Sequence, residues 1–534
     1  MSEPASASRA RSAGWRGTSL VIVIAAATWV GAAGLCWGTW SAGSADAHGY
    51  ISQAELWLEG NLVVDAPMAT TVPWDEAEWT FAPLGYRPGV EAGTIVPVYP
   101  AGLPLVMAGL EAVGGRDAVY LAVPIFGIIA VLATAWLAGR LDSPAAGAVA
   151  AVCLASSPTF LFSLMWPMSD VPAAALWMTA VALAAGPGVV SAAGAGVAMG
   201  LAVLTRPNLV LMTLAPAAYL LWRAWAARGG PYQRLALLRL GAAGVLACAG
   251  CVGVAAIHTW LYGSPLSTGY GNVTQIYAVD RLPEVATGFA LRPLALEPAL
   301  VLLCAIGLAW RLARRDAARP LAWMAAGAIA LLGVSYAFYV TFPEWWYLRL
   351  LLPAWPPAAV FAGVGAASLA RVAAGRWQTM AVAAMALIVA GLGLHEAVER
   401  GVFRLRGAEA RYAAVSRFAT RALPENAIFF AFQESGALHY YAGRPIIRFD
   451  TLPSRWFNDA LSKMRTRGYR PYFVIEEPEE VVFKARFRPV SPLGYLDWPP
   501  IAELDGPVRV RIYDPGFRDR MRRGEQYPTF QITP

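Results

Sequence analysis

The chain has 534 residues, 57% of them hydrophobic and only 14% charged, with a net charge of +7, and its mean hydropathy is +0.48. A water-soluble globular protein carries nearer a quarter charged residues, so a surface this poor in charge faces lipid. The basic excess is almost all arginine, since Lys463 and Lys484 are the only lysines; it lies in short loops between apolar spans, where it sets topology, and no nucleic-acid partner is expected.

The segment Leu20 to Trp40 has no charged side chain. At ~1.5 Å per residue it covers roughly one hydrocarbon thickness. Arg9, Arg11 and Arg16 before it and Ala45-Asp46-Ala47 after it imitate a cleavable signal peptide. The apolar run is longer than a signal h-region and further spans follow, so a retained first helix is expected. These spans read at 117–139, 144–165, 170–186, 189–205, 208–226, 236–262, 293–310, 320–341, 348–370 and 377–397, about eleven in all.

Arg140, then Arg223, Arg228, Arg234 and Arg239, then Arg311, Arg314, Arg315 and Arg319, then Arg371 and Arg376 fall in alternate loops, on the side of the basic N-terminus. The positive-inside rule puts that side in the cytoplasm and the C-terminus outside. Residues 42–95 hold eight carboxylates against Arg87 alone, as befits an outer loop. Val98 to Val113 is apolar but short and carries Pro100 and Pro104. Counting it as a span would invert every later loop, so it reads as an interfacial or re-entrant helix within a long first outer loop, about 42–116.

From 398 the composition turns soluble. Helices are expected at Ala408–Leu423, Ser435–Tyr441 and Ser454–Arg467, and strands at Ala427–Phe432, Pro445–Phe449, Tyr472–Ile475 and Val508–Tyr513. Alternation of this kind predicts an α/β domain, 398–534, with a parallel-type sheet, beside a membrane domain, 1–397. The five cysteines all lie in apolar segments, and Cys248-x-x-Cys251 reads as small filler rather than a redox or metal site. Gly196-x-x-x-Gly200 reads as a helix-packing motif. The P-loop, H-E-x-x-H and G-x-S-x-G motifs do not occur.

Ionisable groups at the outer ends of spans are the candidates for chemistry. Asp46 begins Asp46-Ala-His48-Gly-Tyr50, at the start of an amphipathic helix in which Tyr50, Ala54 and Trp57 recur at helical spacing. Asp170 stands in Met168-Ser169-Asp170-Val-Pro172. Each is open to a plainer reading as a helix cap. Arg206 and Arg349 sit at outer helix ends, with Arg292 as a further candidate, and each is equally open to interfacial snorkelling. Tyr347, beside Trp345 and Trp346, suits stacking on a sugar ring or an interfacial belt. A metal held by Asp46 with His48 stays an alternative to a metal-free site.

In order and sidedness these motifs resemble the GT-C class of membrane glycosyltransferases, whose relatives include protein O-mannosyltransferases and aminoarabinose transferases. The resemblance covers most of the chain: an acid soon after the first span (Asp46), Tyr50-x-x-x-Ala54 with Gly60, Tyr99-Pro100-Ala-Gly102-Leu-Pro104, Met168-Ser169-Asp170, Thr205-Arg206-Pro207-Asn208, Tyr262-Gly263-Ser264-Pro265 and Tyr347-Leu-Arg349. Many relatives have a second acid directly after the first, and Ala47 takes that place here.

The resemblance implies an inverting transferase that takes a sugar from a polyprenyl-phosphate carrier in the membrane lipid to a lipid, glycan or protein acceptor outside the cytoplasm, without a nucleotide-sugar domain or a required cofactor. In it Asp46 is the general base, Asp170 a second catalytic carboxylate, and Tyr50, Arg206, Arg349, Tyr347 and Arg292 bind substrate. Two other classes stay open, a transporter or lipid-carrier flippase of the cell envelope and a membrane scaffold whose outer domain binds a partner. Transporters usually show internal repeats, and none is visible here.

Overall fold

The computed structural model describes residues 5–271, 277–373, 377–525 and 528–533. Arg376, and the side chains of Arg9, Arg11 and Arg16, lie outside the described residues. Seven described helices are long and apolar enough to cross a membrane: Gly17–Trp37, Arg116–Leu141, Gly188–Thr205, Pro207–Ala226, Gln233–Tyr262, Trp345–Val372 and Gln378–Glu399. Two bent pairs, Pro144–Ser156 with Pro158–Leu164 and Val279–Leu296 with Pro298–Ala313, raise the number to as many as nine. The chain is thus a multi-pass helical membrane protein.

Seven of the eleven expected segments coincide with these helices, and four differ from a single long apolar helix. The bent pairs account for two of them. In each, a proline starts the second helix, and the residue before it is driven out of the helical region: Ser157 has ψ 123° and Glu297 has φ −132°, ψ 54°. The pairs bend by 60° and 101°. The other two segments form Asp170–Ala185, which is only 16 residues long, and Arg319–Tyr336, and neither belongs to the set of seven.

Small residues bring the long helices together. A Cβ on Gly250 would lie 2.3 Å from the Gly200 Cα, and one on Gly196 would lie 2.5 Å from the Ala243 carbonyl oxygen. Gly196-x-x-x-Gly200 is therefore the contact line between Gly188–Thr205 and Gln233–Tyr262. At one end of the bundle Arg371 makes a two-pronged pair with Asp142, at 2.8 and 2.7 Å.

At the other end the chain after Trp37 forms the Asp46–Glu59 helix, a three-stranded antiparallel sheet and a 13-residue helix, Gly102–Gly114. In that sheet β3 (Thr94–Pro97) lies between β1 (Val64–Asp65) and β2 (Tyr86–Pro88). Val98 to Val113 was expected to be a short apolar helix, and Gly102–Gly114 packs against Asp46–Glu59.

The C-terminal part is a six-stranded sheet in the order β5-β4-β6-β8-β7-β9. Its strands are β4 (Ala427–Ala431), β5 (Ile446–Arg448), β6 (Arg470–Glu476), β7 (Ala502–Leu504), β8 (Val510–Tyr513) and β9 (Phe530–Gln531). The first three run parallel, whereas β8 is antiparallel to β6 and β7 antiparallel to β8. The parallel-type sheet expected from the sequence is thus found in β5, β4 and β6, and the pairing turns antiparallel from β6 to β8. Trp74 and Phe81 from the loop after the first span share a core with Phe430, Phe457 and Phe473 of this sheet layer, so the loop and the C-terminal part are packed as one body.

Beneath that sheet Arg411 bonds Glu409 at 2.8 Å and Glu476 at 3.0 Å. Glu434 is fully buried beside them, and neither of its carboxyl oxygens has a hydrogen-bond partner. Burial, with Glu476 nearby, raises its pKa well above the ordinary value. Burial likewise pushes Glu479 up to about 8. A carboxyl raised in the folded state binds protons that the unfolded chain has released, so stability is lost as pH rises from the ordinary carboxylate range through about 8. Thermal melts should therefore fall by several degrees between pH 5 and pH 9, and Glu479→Gln should flatten that slope.

Candidate active site

Four charged side chains from distant parts of the chain meet where the Asp46–Glu59 helix lies over the bundle. Asp46 is the first residue of its helix, but the N-cap Ala45 forms no side-chain cap, and the Asp46 carboxylate turns elsewhere. Its Oδ1 accepts from the Tyr99 hydroxyl at 2.5 Å and its Oδ2 from Arg349 Nη2 at 2.8 Å. Asp170 also opens a helix without capping it. Its Oδ1 accepts from Arg206 Nη1 at 2.8 Å and its Oδ2 from Arg349 Nη1 at 3.4 Å. The capping reading is thus corrected for both carboxylates, whose partners are arginines and a tyrosine far away in sequence.

Local sequence explains how the arginines reach this place. Pro207 pushes Arg206 out of the helical region, to φ −146° and ψ 87°, so the helix ends and the side chain turns inward. Arg349 lies on the tight 3-10 turn Trp345–Ala354, ahead of Pro353. Arg206 also donates to the Tyr336 hydroxyl at 3.2 Å, which Asn208 donates to at 3.0 Å. The result is a continuous chain, Arg206–Asp170–Arg349–Asp46–Tyr99, with two positive and two negative charges.

The chain of charges lines a cavity of about 860 Å³, to which Tyr50, Tyr270 and Tyr347 contribute rings. Leu204, Leu211, Val254, Ile257, Val334 and Phe338 give it an apolar side. The two carboxylates differ in access: the Asp46 side chain is 26% exposed and that of Asp170 only 4%. Burial pushes the Asp46 pKa up, but Arg349, the Tyr99 hydroxyl and Arg206 outweigh it, and the net shift is below the ordinary value. Asp46 is therefore ionised throughout the neutral range.

The remaining candidates divide. Tyr50 lines the cavity and donates to Ser169 Oγ at 2.8 Å. Tyr347 lines it too, stacked on Phe342 with ring centroids 4.0 Å apart. Arg292 is corrected: it does not line the cavity and donates to the backbone carbonyls of Phe342 and Glu344, the first at 2.5 Å, which makes it a tie for that loop.

His48 is corrected as well. It is fully buried, with Nδ1 2.7 Å from the Leu84 carbonyl oxygen and its ring near those of Tyr86 and Tyr440. Burial lowers its pKa to about 3. Asp46 faces the cavity while His48 faces the C-terminal part, so they form no common donor set. Among the described residues no group of three or more His, Cys, Asp or Glu side chains is placed to hold a metal. The two carboxylates of the cavity are each bonded to a guanidinium group.

The roles of Tyr99, Tyr336 and Asn208 escape the sequence reading. Tyr99 and Asn208 stand in quoted motifs, but Tyr336 lies inside an apolar span without any local signal.

The C-terminal part grips the segment that carries Asp46. The Ala42 N–H donates to the Tyr441 hydroxyl at 2.7 Å, and Ser44 Oγ donates to Gln433 Oε1 at 3.4 Å. A Cβ on Gly43 would lie 2.2 Å from the Tyr412 ring. Gly43→Val should displace the segment, and because a misplacement of about 1 Å can cost ~10²-fold in rate, turnover should fall by that order while the melting temperature drops only modestly. Steady-state kinetics beside a thermal melt would check this.

The chain is thus a multi-pass helical bundle with a long structured loop after its first span, packed against a C-terminal α/β layer, and this fold recurs in solved structures. No protein-family model matches the sequence, and no curated protein matches it. Among solved structures the chain is similar to ArnT from Cupriavidus metallidurans bound to undecaprenyl phosphate, at 16% identity and a TM-score of 0.53, over 88% of this chain and 95% of that one. The apo state of that protein gives 14% identity and a TM-score of 0.54, over 94% and 98%. The oligosaccharyltransferase AglB from Archaeoglobus fulgidus, in complex with an inhibitory peptide and a dolichol-phosphate, gives 12% identity and a TM-score of 0.50, over 89% and 72%. At such identities the likeness is one of fold.

Proposed function

We propose that this protein is an inverting membrane glycosyltransferase that moves a sugar from a polyprenyl-phosphate carrier to an acceptor hydroxyl outside the cytoplasm. One observation carries the reading: an ionised, accessible carboxylate and two arginines share a cavity with an apolar side. The apolar side suits a polyprenyl chain, which at ~0.8 kcal/mol per buried CH₂ never leaves the bilayer. Arg206 and Arg349 suit the phosphate, since a planar guanidinium binds two oxygens at once.

In the proposed step the acceptor oxygen attacks the anomeric carbon while its proton passes to Asp46. The bond from that carbon to the phosphate oxygen breaks, and its electron pair leaves with the carrier phosphate, whose charge the arginines neutralise. A single displacement inverts the anomeric centre. Asp170, bonded to both arginines, holds them in register. Tyr50 and Tyr347 offer a hydroxyl and a ring face to the sugar.

The same reading takes residues 1–397 as the catalytic membrane domain, with eleven crossings in the inner membrane, and 398–534 as an extracytoplasmic domain. Support for the topology comes from the pairing of Asp142 with Arg371, which joins two loops expected in the cytoplasm. Arg206, Asp170 and Arg349 stand at the opposite ends of their helices, and Asp46 lies in the loop on that same side.

The purified protein in proteoliposomes, given radiolabelled polyprenyl-phosphate sugars and envelope lipids or glycans, should attach label to the acceptor. The flippase alternative draws on the two bent helix pairs. Glu297, at one of the bends, is however bonded by Thr159 at 2.7 Å and by Trp355 at 2.9 Å, as a structural joint would be. Label that crosses the bilayer without covalent attachment would favour the flippase.

A further inference from the structure

The donor-free site is already neutral: two carboxylates offset two arginines, and Arg349 is bonded to both carboxylates. A carrier phosphate that enters brings further negative charge and needs the same guanidinium groups. The two carboxylates are not equal in this competition. Asp170 keeps Arg206 at 2.8 Å when Arg349 is drawn away. Asp46 has Arg349 as its one ion-pair partner among the described residues, and otherwise the Tyr99 hydroxyl.

We propose that Arg349 is a donor-sensing latch on the base: it pins Asp46 while the donor site is vacant, the carrier phosphate draws it off, and Tyr99 keeps the released carboxylate in position for the acceptor hydroxyl. This rests on the glycosyl-transfer reading and adds an order of events to it. A carboxylate paired with a guanidinium is a poor proton acceptor, because protonation would forfeit the ion pair. Released from it, the same carboxylate becomes a better base, and this happens only with the donor in place. No reagent beyond donor and acceptor is needed: the proton taken up by Asp46 comes from the acceptor hydroxyl and leaves to solvent when the carrier phosphate departs and Arg349 returns.

The groups facing Asp46 are Arg349, Arg206, Asp170 and the hydroxyls of Tyr50, Tyr99, Tyr270, Tyr339 and Tyr347. Asp170 remains held by Arg206. Movement of Arg349 is therefore the change that the Asp46 carboxylate registers.

The latch makes an expectation that a simple base does not. Undecaprenyl phosphate should bind Asp46→Asn about tenfold more tightly than the wild type, since charge-assisted hydrogen bonds of this kind are each worth about one such factor. Native mass spectrometry or tryptophan fluorescence in detergent at neutral pH would read this. In an Arg349→Gln background, where no latch exists, the same Asp46→Asn change should alter affinity less than about threefold.

An unchanged or weaker affinity in Asp46→Asn would overturn the latch, as would an equal gain with and without Arg349, which would reflect mere removal of charge. Wild-type protein that fails to bind undecaprenyl phosphate at all would sink the glycosyl-transfer reading along with it.

A second measurement needs no variant. In the wild type the acid limb of kcat, which reports the substrate-bound enzyme, should lie at higher pH than that of kcat/KM, which reports the free enzyme. Coincident limbs would overturn the proposal. Tyr99, as a positioning residue, has its own signature: Tyr99→Phe should lower kcat and shift its acid limb to higher pH, with KM for the donor unchanged. A change in KM alone would assign Tyr99 to substrate binding instead.

Discussion

Replacement of Asp46 by asparagine should lower glycosyl transfer by ~10²–10⁴-fold, the usual contribution of a positioned base. Asparagine keeps the size of the side chain, and its carbonyl oxygen can still accept from Tyr99, so the fold should survive; the variant should elute and melt like the wild type. The loss should appear in kcat rather than in donor affinity. Because Asp46 lies below the ordinary carboxylate range, kcat/KM of the wild type should stay flat through neutral pH and decline only in acid, as the base becomes protonated. Transfer that persists in Asp46→Asn at more than a tenth of the wild-type rate would assign the base elsewhere.

The second large effect is expected at Arg206. A donor aimed at developing charge in a water-poor site is worth ~10²–10³ in rate, and Arg206→Gln should lower kcat/KM by that order. The structure adds a further consequence. Asp170, at 4% side-chain exposure, would be left with Arg349 alone at 3.4 Å, and a buried carboxylate without a good partner is costly. Arg349 should then shift toward Asp170 and away from Asp46, so both the phosphate site and the base would be disturbed. Arg206→Lys should rescue little of the activity, since an ammonium is a point charge that cannot bond Asp170 and Tyr336 through a planar fork. Equal kinetics for Arg206→Gln and wild type would remove Arg206 from the phosphate site and leave it a purely structural partner of Asp170.

Much of this molecule is legible locally. Hydropathy and the alternation of arginine-bearing loops are properties of short windows, and they place a helix at each of the eleven expected segments. Prolines at 158 and 298 are equally local, yet the bends they make are not read from a hydropathy window, which averages across the break. Four strands of the C-terminal sheet are legible for the same reason, while β7 (Ala502–Leu504) and β9 (Phe530–Gln531) are not marked in the sequence.

The sequence by itself determined which residues can be charged near the membrane and at which ends of which helices they stand; that is enough to nominate Asp46, Asp170, Arg206 and Arg349. Only the tertiary structure decided that these four join into one chain, because partners more than 30 to 300 positions apart are selected by helix packing, which no local pattern encodes. It alone decided that Arg292 ties a loop, that His48 faces the C-terminal layer, and that Tyr99 completes the environment of Asp46. A side chain's direction follows from the neighbours that exclude it from every other space, and those neighbours exist only once the chain has folded.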